Sequence, residues 1–225
     1  DRRICSRIAR LMMWSKLCAI VVGVGLFVAV YAPAFVVTAL VRPRVEVAIP
    51  LIIAISFTIA LILIFLLARR PVGIAEFGFK VSNTRYTAIA IGFGLAAGLA
   101  VTFACHLFPS KPPFDVSRLT PWMIALYFII GSSIQEEVIF RGLIQSLLER
   151  QMITLSAFGA SPSGAVIYSA ALFGVIHLGA GAVVSMGAIV LGLIAGELRR
   201  RSGSLLPAII VHAFFNAADA FWLQR

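Results

Sequence analysis

The chain has 225 residues, of which 61% are hydrophobic and only 12% charged, where average soluble domains carry roughly 45–50% apolar and about 25% charged residues. With a mean hydropathy of +1.03, too little charge remains to coat a water-facing surface, which excludes a disordered chain, a disulfide scaffold and an ordinary soluble enzyme and leaves a polytopic membrane protein. The net charge of +10 would suggest nucleic acid in a soluble protein, but the basic residues stand in short runs between apolar stretches, as in Arg2-Arg3, Arg69-Arg70 and Arg199-Arg200-Arg201, which is how topology signals are placed, and no nucleic-acid partner is expected.

A spanning helix needs roughly 20 apolar residues, and seven segments are read as candidates. The first, residues 17–40, contains Pro33, where a kink is expected. It is too long for a signal-peptide core, and the opening Asp1 reads as a processed or truncated N-terminus. Residues 47–68 follow, bounded by Pro43 and Arg69-Arg70. Residues 69–85 are polar and read as a loop or interfacial segment. Residues 86–108 carry Gly94-xxx-Gly98, a spacing that lets helices approach closely. After a loop containing Pro112-Pro113, Thr120 is placed as an N-cap with Pro121 at the first helical position.

The segment 121–150 is apolar in its first half, whereas its second half holds Glu136, Glu137 and Arg141. After a break at 161–164, residues 165–178 form a short apolar segment ending in His177-Leu178-Gly179. Residues 182–198 are Gly-rich and include Gly192-xxx-Gly196. Residues 206–223 carry His212, Asn216 and Asp219. The expectation is an all-α polytopic transmembrane bundle of about seven spans and one membrane domain, 1–225. Residues 1–118 supply N-terminal helices of general character, and 119–223 the core that carries chemistry. With a cytoplasmic N-terminus, thirteen basic residues fall on the cytoplasmic side and five on the far side, as the positive-inside rule asks. Cys5, Cys18 and Cys105 are an odd count in or beside apolar segments and read as filler.

Three patterns hold nearly all the polar functionality of the apolar segments: Glu136-Glu137-x-x-x-Arg141, Phe173-x-x-x-His177 and His212-x-x-x-Asn216. An ionisable side chain at bilayer depth costs at least about 2.5–3.5 kcal/mol on insertion scales, so adjacent carboxylates need compensation. Arg141 lies four residues after Glu137, on the same helical face, and can pair with it. Glu136 points about 100° away and is free to react. With His177 it can activate a water. His212 and Asn216, four apart on one face, can hold the oxygen on which negative charge develops. The site is expected among the last four helices, with broken or half-length helices around it.

These signatures, EExxxR, FxxxH and HxxxN in order on successive hydrophobic segments, resemble the CPBP family of intramembrane proteases, also called Abi proteins. That family includes the Rce1-type CAAX prenyl endopeptidases. The link Gly196-Glu197-Leu198-Arg199-Arg200-Arg201-Ser202-Gly203-Ser204-Leu205 before the last helix is also similar. The resemblance covers residues 121–223. It implies a multi-pass membrane endopeptidase acting on a membrane-associated peptide or protein, with a prenylated CAAX protein as one option and the cytoplasmic membrane as its place in a prokaryote. It implies Glu136 and His177 as water-activating, His212 and Asn216 as oxyanion-binding, and Glu137 and Arg141 as supporting. Zinc stays open: there is no HExxH, yet Glu136, His177 and His212 would be a minimal ligand set.

Other readings stand beside these. Glu136, Glu137 and Arg141 can be a buried ion-pair cluster that fixes packing, and His212 with Asn216 interhelical hydrogen-bond glue. A non-proteolytic Abi-type immunity or adaptor protein and a proton-coupled carrier are the alternative functions, although the paired inverted halves of carriers are not seen. His106 is read as interfacial, Phe173 as core packing and Glu197 as a local partner of the neighbouring arginines. Arg199–Arg201 are read as a topology anchor or, second, a lipid-headgroup site. Asp219 is read as either orienting Asn216 or ending its helix.

Overall fold

The computed structural model describes the backbone of residues 2–42, 44–68, 73–108, 118–149, 152 and 163–223, with side chains described between 17 and 220. Seven helices account for most of it: α1 (Arg2–Val41), α2 (Val45–Ala68), α3 (Thr84–Leu107), α4 (Pro121–Leu148), α5 (Gly164–Ile176), α6 (Ala182–Ser202) and α7 (Leu206–Leu223). No β-strand occurs among the described residues. This is the all-α bundle that the composition demands.

Among the described residues, five helices are long and apolar enough to cross a membrane: Leu17–Val41 within α1, then α2, α3, α4 and α6. The other two are apolar but shorter. The 13 residues of α5 span about 20 Å, less than the roughly 30 Å hydrocarbon core, so α5 is a half-length element. It ends at His177, and the 3₁₀ turn Leu178–Ala180 carries the chain back into α6. Outward faces of α1–α3 are apolar, with Val21, Val36, Phe65, Leu99 and Phe103 all exposed, as a lipid-facing surface requires.

α1 runs through Pro33 without interruption. Thr120 occupies the N-cap of α4 with extended backbone, and Pro121 takes the first turn, but the Thr120 side chain makes no cap bond. Ser163 does cap α5, accepting from the Val166 N–H at 3.2 Å.

Glycine sets the closest approaches. A Cβ on Gly94 would stand 2.5 Å from the Val211 carbonyl oxygen, and one on Gly98 2.6 Å from that of Phe215. α3 and α7 therefore pack backbone to backbone, and theirs is the most extensive helix contact. Gly192 brings α6 against the Ala170 backbone of α5, and Gly196 makes room for the Val166 side chain.

α4 is wound unusually. Two π-helical stretches, Ala125–Ser132 and Val138–Gln145, flank the α-helical turn Ser133–Glu137. Every residue of Val138–Gln145 is buried, which makes this the centre of the bundle. π-helical turns are rare and frequently mark functional sites.

At one end of the bundle the turn Ile74–Phe77 is clasped to α6 and α7. The Leu205 N–H donates to the Gly78 carbonyl at 2.9 Å. The Arg199 guanidinium donates to the Glu76 carbonyl at 2.8 Å and to Ser146 Oγ at 3.1 Å. Gly78, at φ 90°, leaves no room for a side chain, since a Cβ there would meet Arg199 Nε at 2.5 Å. Arg199 is only 9% exposed and acts as an internal clamp, a contact that its reading as a topology anchor does not include. Arg200 and Arg201 do remain partly exposed and pair with Glu197, as the sequence suggests.

Candidate active site

The site begins with the α-helical turn of α4. Glu137 and Arg141 are both 0% exposed, and Arg141 Nη1 donates to Glu137 Oε1 at 3.0 Å. The spacing of four brings them together as read from the sequence. Two further contacts hold Arg141: its Cζ lies 4.8 Å from the centroid of the Phe173 ring and 5.8 Å from that of Phe140. Aromatic faces attract a guanidinium, more strongly where water is absent.

His212 of α7 bridges the two carboxylates. Its Nδ1 lies 2.9 Å from Glu137 Oε1, and its Nε2 lies 3.6 Å from Glu136 Oε2. A carboxylate only accepts hydrogen bonds, so the Nδ1 carries hydrogen and donates to Glu137. At 3.6 Å the Nε2 is beyond hydrogen-bond length from Glu136 Oε2 and is its close polar neighbour. Glu136 is the reachable carboxylate: its side chain is 16% exposed, against 0% for Glu137.

His177 terminates α5. Its Nδ1 lies 2.8 Å from the Phe173 carbonyl oxygen. Since a carbonyl accepts, that nitrogen is the protonated one and Nε2 keeps its lone pair, free to act as a base. His177 makes no direct hydrogen bond to Glu136; Phe173 links the two motifs instead. Its ring meets the imidazoles of His177 and His212 edge-on, with centroids 4.7 and 5.5 Å apart, and Phe140 at 5.0 Å. Phe173 is thus the shared wall of the site.

Asn216 lies one turn beyond His212. Its Nδ2 donates to the Phe128 carbonyl at 2.7 Å and lies 3.4 Å from both Ser132 Oγ and Ser133 Oγ. The same Phe128 oxygen accepts from Ser132 Oγ at 2.6 Å. This carbonyl lies within the π-helical stretch Ala125–Ser132. An amide has two N–H donors, and here they are shared among these three acceptors. Asp219 does not orient Asn216: its Oδ1 accepts from Thr102 Oγ1 of α3 at 3.2 Å. His106 is exposed near the end of α3.

Sequence reasoning missed a second polar layer. Gln135 Nε2 donates to Tyr31 of α1 at 3.2 Å and to Ser56 of α2 at 3.0 Å. Gln145 donates to the Gly196 carbonyl at 3.1 Å, Ser169 to that of Phe140 at 2.9 Å, and Ser185 to that of Gly174 at 2.8 Å. Neither Tyr31 nor Ser56 belongs to a motif; the only sequence signal is a polar residue at the adjacent position to a glutamate in an apolar helix.

The three side chains of a minimal zinc set do not meet as one. Among the described residues no group of three His, Cys, Asp or Glu side chains is placed to hold a metal ion. Glu136, His177 and His212 therefore do not fit a metal centre, and no step below passes through one.

Comparison with known families bears on the same residues. Residues 118–218 match the model described as type II CAAX prenyl endopeptidase, Rce1-like. This stretch is similar to an Rce1-like domain. The matched stretch begins just before α4 and ends within α7, so it encloses all three motifs. The match supports, for this stretch, a likeness to CAAX-protease-like membrane endopeptidases. The long apolar helices make it an integral membrane protein. No curated protein and no solved structure matches the chain. The Rce1-like domain takes in α4–α7 but not α1–α3, although Tyr31 and Ser56 reach α4 from outside it.

Proposed function

We propose that the chain is an intramembrane endopeptidase that hydrolyses a peptide bond in a membrane-associated peptide or protein tail. The observation that carries this reading is His212 held between two carboxylates, only one of which is reachable. Arg141 neutralises Glu137, Glu137 fixes His212, and Glu136 remains as the group with chemistry to do.

In the proposed reaction Glu136, ionised, takes a proton from a water, and the Nε2 lone pair of His177 orients that water by accepting its second hydrogen. The hydroxide adds to the scissile carbonyl carbon. The oxygen that becomes negative is held by the His212 Nε2–H and by the Asn216 N–H that exchanges its long contacts with the Ser132 and Ser133 hydroxyls for the stronger negative acceptor. Glu136 then passes its proton to the leaving amine, the C–N bond breaks, and the carboxylate is regenerated. Phe173 walls both imidazoles from lipid.

Lipidation of the substrate and a cytoplasmic N-terminus belong to the same proposal, the second supported by the uneven distribution of basic residues. Proteomic comparison of cells carrying the wild-type chain and Glu136→Gln tests the reading. Uncleaved membrane peptides should accumulate with the variant. An unchanged proteome, with both proteins present at equal level, would instead favour a non-proteolytic adaptor. Proton flux in liposomes that vanishes in Glu136→Gln, without cleavage, would favour a carrier.

A further inference from the structure

α1 and α2 lie outside the matched domain, yet they meet α4 at the residue beside Glu136. Gln135 is 3% exposed, Tyr31 4% and Ser56 0%, and their hydrogens can be assigned one by one. Both hydrogens of the Gln135 amide are committed, to Tyr31 and to Ser56. The Ser56 hydroxyl is committed to the Ile52 carbonyl at 2.6 Å. Tyr31 accepts from Gln135 and, among the described residues, its own O–H hydrogen has no acceptor in a hydrogen bond. A buried hydroxyl donor left unused costs free energy, so its hydrogen needs a destination.

Packing gives the direction. The Tyr31 ring lies 6.0 Å from that of Phe140, four residues after Glu136, and Phe140 meets Phe173 at the wall of the site. Tyr31 therefore sits on the side of α4 from which Glu136 projects. Mere hydrogen-bond glue between helices would leave no donor over; this cluster leaves one, and beside the reachable carboxylate.

We infer that Tyr31 of α1 is a positioning residue of the site, whose hydroxyl, fixed by Gln135, donates to the Glu136 carboxylate directly or through one water. α1 thereby completes a site whose other members all come from α4, α5 and α7. The inference rests on Glu136 being the reacting carboxylate, and deepens that reading.

Two measurements on the purified full chain in nanodiscs test it. Infrared difference spectra locate the Glu136 carboxyl band as the one lost in Glu136→Gln. In Tyr31→Phe that band should shift, and in Gln135→Met, which releases the hydroxyl without altering α1, it should shift the same way. An unmoved band in a folded variant overturns the inference, whether or not any peptide is cleaved. The second measurement is cleavage of an internally quenched farnesylated CAAX-type peptide. Tyr31→Phe should lower kcat roughly tenfold, the worth of one charge-assisted hydrogen bond, with KM unchanged, and adding Gln135→Met should lower it no further. A wild-type kcat in Tyr31→Phe overturns the inference and leaves the protease reading intact. A shifted band with no cleavage by the wild type sustains the Tyr31–Glu136 link and removes this substrate class from the protease reading.

Discussion

One oxygen of Glu137 serves two partners: Oε1 accepts from Arg141 Nη1 at 3.0 Å and from His212 Nδ1 at 2.9 Å. The ion pair that lets α4 carry charge within the bundle is therefore the same device that orients the imidazole on α7. Carboxylates that fix the tautomer of a working histidine are a recurrent arrangement in hydrolases.

The two adjacent glutamates should fail differently. Glu137→Gln or Arg141→Ala strands a buried charge, a loss of about 3–5 kcal/mol where one partner of such a pair is removed. Both should lower the thermal unfolding midpoint in detergent by many degrees and reduce expression. Glu136→Gln should unfold near the wild-type temperature and cleave nothing. Equal destabilisation by all three would refute the division of roles.

His177 offers a paired test. His177→Asn keeps a donor for the Phe173 carbonyl but has no lone pair where Nε2 stood. Its kcat should fall by roughly 10²-fold, the order that misplacing a reacting group costs, with the fold intact by circular dichroism. If His177→Asn cleaves peptide at the wild-type rate, the imidazole has no part in activating water.

The glycines of α3 should matter at a distance. Gly94→Ala places a methyl 2.5 Å from the Val211 carbonyl and 2.9 Å from Phe214 Cβ, so α7 has to move. Overpacking of this kind costs about 1–3 kcal/mol. Because Val211 precedes His212, the variant should also lose turnover. Gly92→Ala, where nothing lies within 4 Å, should match the wild type in both melting temperature and rate.

The three consecutive arginines should separate by burial. Arg199→Ala removes the clamp on Glu76 and Ser146 and should destabilise by about 2 kcal/mol or more, since charge-assisted bonds of this kind are worth about 1.5–3 kcal/mol each. Arg201→Ala removes an exposed pair with Glu197, worth about 0–1 kcal/mol. Thermal denaturation of the two variants side by side decides it; equal midpoints would return Arg199 to the role of surface anchor.

What the sequence shows about this molecule is local. The pairing of Glu137 with Arg141 follows from spacing along one helix, and apolar runs of sufficient length expose the spans. The shortness of α5 is also visible from length alone. Long-range partners are not legible. Asn216 takes a carbonyl inside a π-helical stretch, and no residue pattern around 125–132 announces one. Arg199 reads as a surface charge until the turn Ile74–Phe77 is seen folding onto it. Tyr31 and Gln135 are 104 positions apart, and nothing in either neighbourhood points to the other.

The winding of α4 changes what an evolutionary deletion would do. In an ordinary α-helix the loss of one residue rotates everything after it by about 100°, which here would swing both glutamates out of the bundle. A π stretch carries a surplus residue in its wider turn, so a single loss within Ala125–Ser132 can be absorbed by tightening that turn. Glu136 and Glu137 would keep their bearing, while the Phe128 carbonyl would return to the helical ladder and let go of Asn216. The bundle would survive the lesion, and the grip of α7 on α4 would be the part that is lost.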